Sequence, residues 1–454
     1  MSERPGPGSD GLLPPGLLGV LGGPGRRLRV PARAGRVLVP LVLLASLPVI
    51  LAVTRQGYCL QHGWDGTEPL WRQCYSDLAT STETGGVTGG LTAYLSSTGG
   101  VHVDQPVITG AVMSLLGGLA PGSGAGQQRW YVALWAMLAM ALLAAMVWFV
   151  ATTRRVRADP AQVALAPVVA LTVLLSPDIV GVALTTAGVW AWSRRRPTLT
   201  GVLLGLAVMA RSYPLVVLVA VVALAVREGR AAELRRLGRA LAATVGAVLV
   251  LWLVTDPGAI GRPYAAWWGA GAGLGSVWYL FTIVGLPISG TALSVIAVLG
   301  WLAASALVVV LALGSSRRPA LGPLLLVGVG VVLLTGKSFP VQSSLWLVPL
   351  VAVAGISWRD HLWWGGAEVL HGIAVWLYVA GLAVPDRSLP GGWYGVFVLL
   401  RLLGVGYLVW RAWEASTAGL PLGRAAPPLH PPEEWAAEPA AEPVTSEPAG
   451  TGEG

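Results

Sequence analysis

Lysine is almost absent from this sequence. Of the 30 basic residues among 454, only Lys337 is a lysine, and all the others are arginine. Charged residues make up 11% of the chain, less than half of the roughly 25% found in soluble domains. Hydrophobic residues make up 54%, so the composition excludes an ordinary soluble protein. The single lysine is either chance or a site that requires a compact ammonium group instead of a planar guanidinium.

Sequence motifs of several enzyme classes are missing as well. No glycine-rich loop of the Walker or dinucleotide-binding type opens a helix after a strand, which argues against an ATP-driven machine. Cysteine and histidine show no zinc-ligand spacing, and no cleavable signal peptide precedes the first apolar stretch. The two cysteines, Cys59 and Cys74, share one early loop. A disulfide between them is expected if that loop faces an oxidising compartment.

Long apolar stretches are the main feature that the sequence does contain. Stretches of about 15–25 residues recur from Val37 to Trp410 and predict an all-α polytopic membrane protein with about 12 transmembrane helices. Several are shorter than a straight span requires, so tilted or broken helices are expected. We place the spans at residues 37–54, 129–152, 161–176, 179–193, 198–212, 214–227, 238–254, 288–313, 320–335, 343–356, 361–382 and 392–410.

The arginines indicate the topology of these spans. Their clusters lie at span ends, so membrane topology explains the net charge of +8, and no nucleic-acid partner is predicted. Nearly all clusters fall in alternate loops, which the positive-inside rule places in the cytoplasm together with both termini. The sequence therefore predicts a multi-pass plasma-membrane protein.

Three parts of the chain follow from this topology. Residues 1–36 form a cytoplasmic disordered segment, 37–410 the multispanning domain, and 411–454 a Pro/Ala/Glu-rich cytoplasmic disordered tail. The first extracytoplasmic loop, 55–128, is long, which is typical of functional loops. Its apolar stretch 106–121 is interpreted as a re-entrant or interfacial helix, because a full span there would place the later arginines outside.

Two extracytoplasmic loop tips carry candidate binding residues. Segments 210–215 and 335–342 place Arg211 and Lys337 just before an aromatic residue and a proline. Because proline breaks the helix there, the cation can enter the mouth of the bundle and bind a lipid phosphate. The alternative for each is an interfacial cation that reaches water and has no ligand.

Carboxylates give a second set of candidates. In the first extracytoplasmic loop, Asp77 or Asp104 can act as a general base towards a hydroxyl group. The alternative is an ordinary solvated acid. Glu368 and His371 lie one helical turn apart within the span 361–382, where an ionisable pair needs a partner or a cavity. A helix–helix hydrogen bond and a catalytic role both fit this pair.

Six segments occur in an order and spacing that together resemble the actinobacterial glycosyltransferase family 87. Its members are polytopic GT-C-type enzymes that use polyprenyl-phosphate-mannose as the sugar donor. The resemblance covers about residues 37–410, and no one motif is specific alone. The segments are CYSDL (74–78), DQPVITG (104–110), WAWSRRRPTLTGVLLGLAVMARSYPL (190–215), GLGSVWYL (273–280), GKSFPVQSSLWLVPL (336–350) and AEVLHGIAVWLYVAG (367–381).

The resemblance implies a GT-C-type bundle with an extracytoplasmic active site. It implies that Asp77, which follows a Tyr-Ser pair, is the base that activates an acceptor hydroxyl. It also implies that Lys337 and Arg211 face the donor phosphate. The remaining residues that we assign to substrate binding are Gln342, Tyr213, Asp104, His371 and Glu368.

The sequence departs from the family in three places. Asp104-Gln105-Pro106 stands where the family usually has Glu-Tyr-Pro. Arg211 replaces a lysine, which changes a point charge into a planar fork. The proline that usually precedes Gln342 lies at position 340. All three changes fall within the predicted site.

The leading hypothesis is an inverting transfer of a sugar, with mannose favoured, from a polyprenyl-phosphate donor to an envelope glycolipid or glycan. The predicted partners are this donor, the acceptor and membrane lipids. No cofactor is predicted, and a metal is not required by the scheme. Two alternatives stay open: a transporter or flippase for a lipid-linked sugar, and a catalytically inactive paralogue within a cell-envelope complex.

Overall fold

The computed structural model describes residues 35–84, 86–96, 103–153, 158–384 and 389–418. All regular secondary structure within these ranges is helical. The predicted disordered segments 1–36 and 411–454 fall mostly on residues outside the described ranges and stay predictions there. Residues 411–418, which we assigned to the tail, instead continue the last helix, Gly391–Ala418.

Six helices of the described chain are long and apolar enough to cross a membrane. Each coincides with one of the predicted spans, so the structure is that of an all-α protein of membrane type. They are Leu38–Arg55, Gly124–Thr152, Ala231–Thr255, Gly290–Gly314, Trp358–Ala383 and Gly391–Thr417.

The other predicted spans correspond to shorter apolar helices. A helix of about 15 residues rises only about 22 Å, whereas the hydrocarbon core is roughly 30 Å thick. Two of these short helices, Ile179–Ser193 and Leu321–Thr335, are buried on almost all sides and form the centre of the bundle. The short helices are Val107–Leu119, Ala161–Thr172, Ile179–Ser193, Pro197–Ala210, Pro214–Arg227, Leu321–Thr335 and Val341–Ala354.

Close helix packing within the bundle depends on small residues. The helix Pro197–Ala210 packs along Ala231–Thr255. Gly201 and Gly205, four residues apart, face this neighbour, and a Cβ atom at Gly201 would collide with the Leu237 carbonyl. This small-xxx-small arrangement lets two helix backbones approach where lipid provides no hydrophobic drive. The pair of helices therefore forms a rigid support for the tip at residue 211.

The first long loop folds onto one end of the bundle through short helices. Cys59 and Cys74 are joined by a disulfide, the outcome expected for an oxidising compartment. Just after Cys74, the Ser76 hydroxyl donates to the Leu174 carbonyl at 2.6 Å, and the Asp77 amide donates to the Leu175 carbonyl at 2.9 Å. The short helices of this end are Gly57–His62, Glu68–Trp71, Asp77–Thr84, Gly90–Ser96, Val107–Leu119, Gly258–Gly269 and Val277–Ile283, with 3-10 turns at Val87–Gly89 and Val341–Trp346.

The stretch 106–121 is a 13-residue helix, Val107–Leu119. Its Thr109 hydroxyl donates to the Ala210 carbonyl at 2.8 Å, which fixes the helix to the tip that carries Arg211. The re-entrant or interfacial position that we expect for this helix stays a prediction.

Candidate functional site

Arg211 is the centre of a polar cluster where several helices end. The helix Pro197–Ala210 stops at Ala210, the backbone of Arg211 is extended, and the next helix begins at Pro214. The guanidinium donates to Asp178 Oδ1 through Nε at 3.0 Å and through Nη2 at 2.5 Å. Its Nη1 donates to Gln105 Oε1 at 2.7 Å. Three segments far apart in sequence therefore meet at one guanidinium.

Asp178 receives donors from both sides. It directly precedes the helix Ile179–Ser193, and its Oδ1 also accepts from the Ser176 hydroxyl at 3.1 Å. Its Oδ2 accepts from the Trp346 indole at 2.6 Å. Both carboxylate oxygens therefore have partners, and the carboxylate fixes the position of Arg211. We call Asp77, Asp178, Arg211, Gln105 and Trp346 the tip cluster.

Asp77 lies beside this ion pair, half-buried at the first turn of the helix Asp77–Thr84. The pKa of Asp77 is raised from 3.8 to about 6. Burial is the largest cause; a hydrogen bond from Tyr75 and the positive charge of Arg211 oppose it, and the negative charge of Asp178 adds to it. A carboxylate with such a pKa is ionised at neutral pH and is a stronger base than an ordinary aspartate. The predicted base thus lies in the same cluster as one of the two predicted cations.

Aromatic rings line the tip cluster. Tyr213 is buried and stacks on Trp346 with ring centroids 4.6 Å apart. Tyr75 packs against Trp376 at 4.8 Å. Rings of this kind provide apolar surface with a polar edge.

Lys337 lies in a different environment from Arg211. Its side chain is 1% exposed, and its ammonium group donates to the carbonyl of Ala270 at 2.7 Å, of Trp268 at 3.3 Å and of Trp267. The Ser294 hydroxyl completes the shell at 2.8 Å. An ammonium group has three donors, and all of them are directed at these protein oxygens. The predicted role in phosphate binding stays untested, but in this structure Lys337 fastens the segment 267–270 to the bundle.

Glu368 belongs to a fully buried ion pair. Its Oε2 accepts from Arg401 Nε at 2.8 Å and from the Ser344 hydroxyl at 2.5 Å, and its Oε1 accepts from the Trp364 indole at 3.0 Å. Arg401 also donates to the Phe339 and Pro340 carbonyls. Both side chains are 0% exposed. We call Glu368 and Arg401 the core pair; its contacts are those of a structural clamp on residues 339–344.

His371 lies next to the core pair but contacts a tyrosine. Its Nε2 is 3.4 Å from the Tyr394 hydroxyl, which in turn accepts the Gly275 amide at 3.0 Å. Among the described residues its Nδ1 has no hydrogen-bond partner. Of the two roles left open for Glu368 and His371, helix–helix bonding is the one that these contacts show for Glu368.

Gln342 and Asp104 complete the predicted set. Gln342 is half-buried in the 3-10 turn Val341–Trp346, close in sequence to Trp346 of the tip cluster. Asp104 is exposed and forms no ion pair with any residue in the described ranges. Its neighbour Gln105, not Asp104, contacts Arg211. The structure therefore brings together Asp77, Arg211 and Tyr213, and leaves Lys337, Glu368, His371 and Asp104 outside this cluster.

No family model matches this chain, and no curated protein matches it. The resemblance to glycosyltransferase family 87 thus remains a prediction based on the quoted segments. Within the described ranges, no group of three or more His, Cys, Asp or Glu side chains is arranged to hold a metal ion.

The sequence assigned no role to four residues that these clusters contain: Asp178, Gln105, Trp346 and Arg401. Arg401 had a usable signal, because a charge within the predicted span 392–410 needs a buried partner or a cavity. Asp178 lies between the predicted spans 161–176 and 179–193, but nothing in the sequence pairs it with Arg211.

Chemically, the tip cluster combines a base with an engaged cation. The cluster contains two acidic side chains and one guanidinium, so an incoming anion must displace Asp178 or Gln105 from the donors of Arg211 or be accompanied by a proton. A neutral hydroxyl compound beside Asp77 meets no such barrier. The arrangement therefore allows Asp77 to accept a proton from a hydroxyl group beside Arg211, whose hydrogen-bond partners can be exchanged.

Proposed function

We propose that this protein is a membrane-embedded glycosyltransferase of the GT-C type, with its active site at the tip cluster. The observation that carries the proposal is the position of Asp77. A half-buried carboxylate with a raised pKa lies beside an arginine at the end of an apolar helical bundle. A lipid-linked donor can reach such an end from the bilayer, while a polar acceptor reaches it from water.

In the proposed reaction, Asp77 accepts the proton of an acceptor hydroxyl. The hydroxyl oxygen forms a bond to the anomeric carbon of the donor sugar, and the bond between that carbon and the phosphate oxygen breaks. The polyprenyl phosphate leaves with the bonding electron pair, and the configuration inverts. Cations that stabilise the departing phosphate supply much of the rate.

Arg211 is the proposed phosphate ligand within the tip cluster. It uses three nitrogen atoms on Asp178 and Gln105, and exchanging the neutral Gln105 for a phosphate oxygen costs less than separating the ion pair. Lys337 would need to leave its carbonyl shell to touch the phosphate directly. We therefore assign Arg211 the direct contact and keep Lys337 as a proposed second cation.

The finer architecture is part of the same proposal. Twelve spans would include the six long helices together with shorter helices that cross the bundle beside them, as in broken or tilted spans. The arginine-rich loops would face the cytoplasm and the tip cluster the opposite side. The disulfide beside Asp77 supports this orientation, because disulfides persist in oxidising compartments.

An inactive paralogue is the second candidate, and one observation favours it. Both cations required by the scheme already have protein partners: Arg211 pairs with Asp178, and Lys337 is enclosed by carbonyl groups. A transporter lacks comparable support. Ion coupling would need an available acid within a span, but Glu368 in the predicted span 361–382 is held by three donors in the core pair.

A transfer assay with a matched pair of variants tests the proposal. Purified protein in lipid is incubated with radiolabelled polyprenyl-phosphate-mannose and an envelope lipid extract. We expect label in a new glycolipid with wild type, a decrease of about 10²–10⁴-fold with Asp77→Asn, and no decrease with Asp65→Asn, because Asp65 is an exposed acid of the same loop.

Three results would count against the proposal in different ways. Equal losses in both variants would remove the special role of Asp77. Unchanged transfer in Asp77→Asn would support a glycosyltransferase but exclude Asp77 as its general base. No transfer by wild type from mannosyl, glucosyl or arabinosyl donors, with an intact fold, would favour the inactive paralogue.

A further inference from the structure

A cavity lies at the end of the bundle opposite the tip cluster. The helices Ile179–Ser193 and Pro214–Arg227 begin beside the tip cluster and end beside this cavity. Its volume is about 240 Å³, below the roughly 300–1,000 Å³ of pockets that enclose drug-sized ligands. The cavity is thus suited to a headgroup-sized group and not to a whole lipid or nucleotide.

Three separate turns bring arginines to this cavity. Arg195 follows the helix Ile179–Ser193, Arg230 precedes Ala231–Thr255, and Arg318 precedes Leu321–Thr335. The sequence placed all three turns on one side of the membrane from their charge alone. The structure adds that their arginines surround a common space.

The charge around the cavity is positive. Glu228 pairs with Arg318 at 2.5 Å and with Arg230 at 3.4 Å. Glu233 pairs with Arg230 and lies 3.7 Å from Arg195. Three guanidinium groups thus face two carboxylates. Arg195 and Arg318 are 57% and 52% exposed, and each guanidinium carries five donors, so both retain donors for an anion.

The walls of the cavity change from polar to apolar. Buried side chains of Val189, Leu224 and Val353 line its inner part, whereas the exposed Arg195 and Arg318 lie at its rim. Nearby, Trp148 and Trp190 pack together, and the Trp190 indole donates to the Thr152 hydroxyl at 3.0 Å. Tryptophans with one apolar and one polar side are typical of the membrane–water interface. In the proposed topology the cavity would therefore lie at headgroup depth.

We propose that this cavity binds the phosphate-ester headgroup of an anionic membrane phospholipid. Arg195 and Arg318 would bind the phosphate oxygens, and Glu228 and Glu233 would hold Arg230 at the back of the site. This site is distinct from the tip cluster and does not depend on whether the protein transfers a sugar.

Native mass spectrometry of the full chain in detergent tests the proposal. The protein is titrated with phosphatidylglycerol or with phosphatidylcholine of identical acyl chains. We expect wild type to retain phosphatidylglycerol about tenfold more strongly than phosphatidylcholine. The variant Arg195→Gln/Arg318→Gln should lose this preference. The matched control is Arg235→Gln/Arg239→Gln, which removes two exposed arginines of the adjacent helix Ala231–Thr255 outside the cavity lining.

Each outcome decides the proposal. The proposal is supported if the cavity variant loses the preference for phosphatidylglycerol and the control variant keeps it. The proposal is overturned if the cavity variant and the control variant show the same preference, or if wild type retains both lipids equally. Displacement of the lipid by soluble glycerol phosphate at similar concentration would assign the site to a free phosphate ester and overturn the lipid source. Because both replaced arginines are more than half exposed, the variants should fold, and the single Arg195→Gln variant should show a smaller loss.

Discussion

The tip cluster and the core pair both contain an arginine bound to a carboxylate, but their surroundings differ. In the core pair, Arg401 and Glu368 are 0% exposed, and their donors and acceptors are directed at fixed protein groups. In the tip cluster, Arg211 and Asp178 are 11% and 5% exposed, and a second carboxylate, Asp77, lies beside them.

This difference separates a clamp from a candidate site. A buried ion pair with all its hydrogen bonds formed holds segments together, and exchanging any of its partners is unfavourable. A pair near the surface, with a neutral amide as one partner and an extra base nearby, can exchange a partner for a ligand at lower cost. An arginine–carboxylate pair thus acts as a clamp in one place and forms part of the candidate site in the other.

The largest expected effect is on stability at the core pair. Arg401→Met leaves the Glu368 carboxylate buried without its cation, and we expect the free energy of unfolding to decrease by about 3–5 kcal/mol. The double variant Arg401→Met/Glu368→Met should recover most of this loss. Thermal unfolding in detergent, followed by tryptophan fluorescence, measures both.

The matched change in the tip cluster is Arg211→Met. Each carboxylate keeps two other donors, but Arg211 and Asp178 are 11% and 5% exposed whereas the core pair is 0% exposed, so we expect a smaller loss at the tip cluster. Equal losses at the two positions would show that the comparison between clamp and site is mistaken.

The next effect concerns the covalent link beside Asp77. Replacing both Cys59 and Cys74 by serine opens a loop with a sequence separation of 15, and we expect a loss of about 3 kcal/mol. Sugar transfer should fall in parallel, since Asp77 follows Cys74 closely. Reductant should have the same effect on wild type and none on the serine variant; a reductant effect on both would point to another target.

A smaller effect is expected from Arg211→Gln. Losing the proposed phosphate contact should reduce transfer by about 10–100-fold with little change in unfolding temperature. Arg211→Lys should retain part of the activity, because it keeps the charge. Arg129→Gln, an exposed arginine outside the tip cluster, serves as the control, and an equal decrease there would contradict a specific role of Arg211.

The smallest effect is a shift in pH dependence. Asp77 must be ionised to act as a base, so transfer should rise with pH below its pKa of about 6 and level off above it. Tyr75→Phe removes a donor to the carboxylate and should move this limb to higher pH. Asp178→Asn removes a repelling charge and should move it to lower pH, each by less than about one unit. Shifts in the same direction would contradict the arrangement of the cluster.

The raised pKa of Asp77 also determines how its contribution to the free energy of unfolding changes with pH. Because the folded value of about 6 is above the ordinary 3.8, folding favours the protonated carboxyl group. The contribution of Asp77 to stability is therefore present at low pH and is lost as the pH rises through about 6. Asp77→Asn should remove this dependence.

The long spans were predictable because each is a continuous apolar run. The end of the last helix was not: Arg411 and Glu414, whose side chains pair at 2.9 Å, continue it beyond the apolar stretch to Ala418. Charged residues at this spacing support a helix without adding hydrophobicity.

Partners within the clusters could not be read from the sequence. Asp178 is 33 positions from Arg211 and 168 from Trp346, and only the packed bundle brings them together. Asp77 was found through its motif, whereas its raised pKa depends on burial that no local pattern encodes. Conversely, the isolated Lys337 drew attention by its rarity, yet its contacts are structural.

Lys337 also provides an experimental handle of a different kind. It carries the only side-chain amine of the chain, and its Nζ atom is enclosed by the carbonyl groups of residues 267–270. Burial lowers its pKa in the closed state, and this effect is lost when the enclosure opens. An amine-selective reagent can modify this side chain only after segment 267–270 has detached. The rate of labelling at Lys337 therefore measures the opening kinetics of this end of the bundle, without any introduced probe.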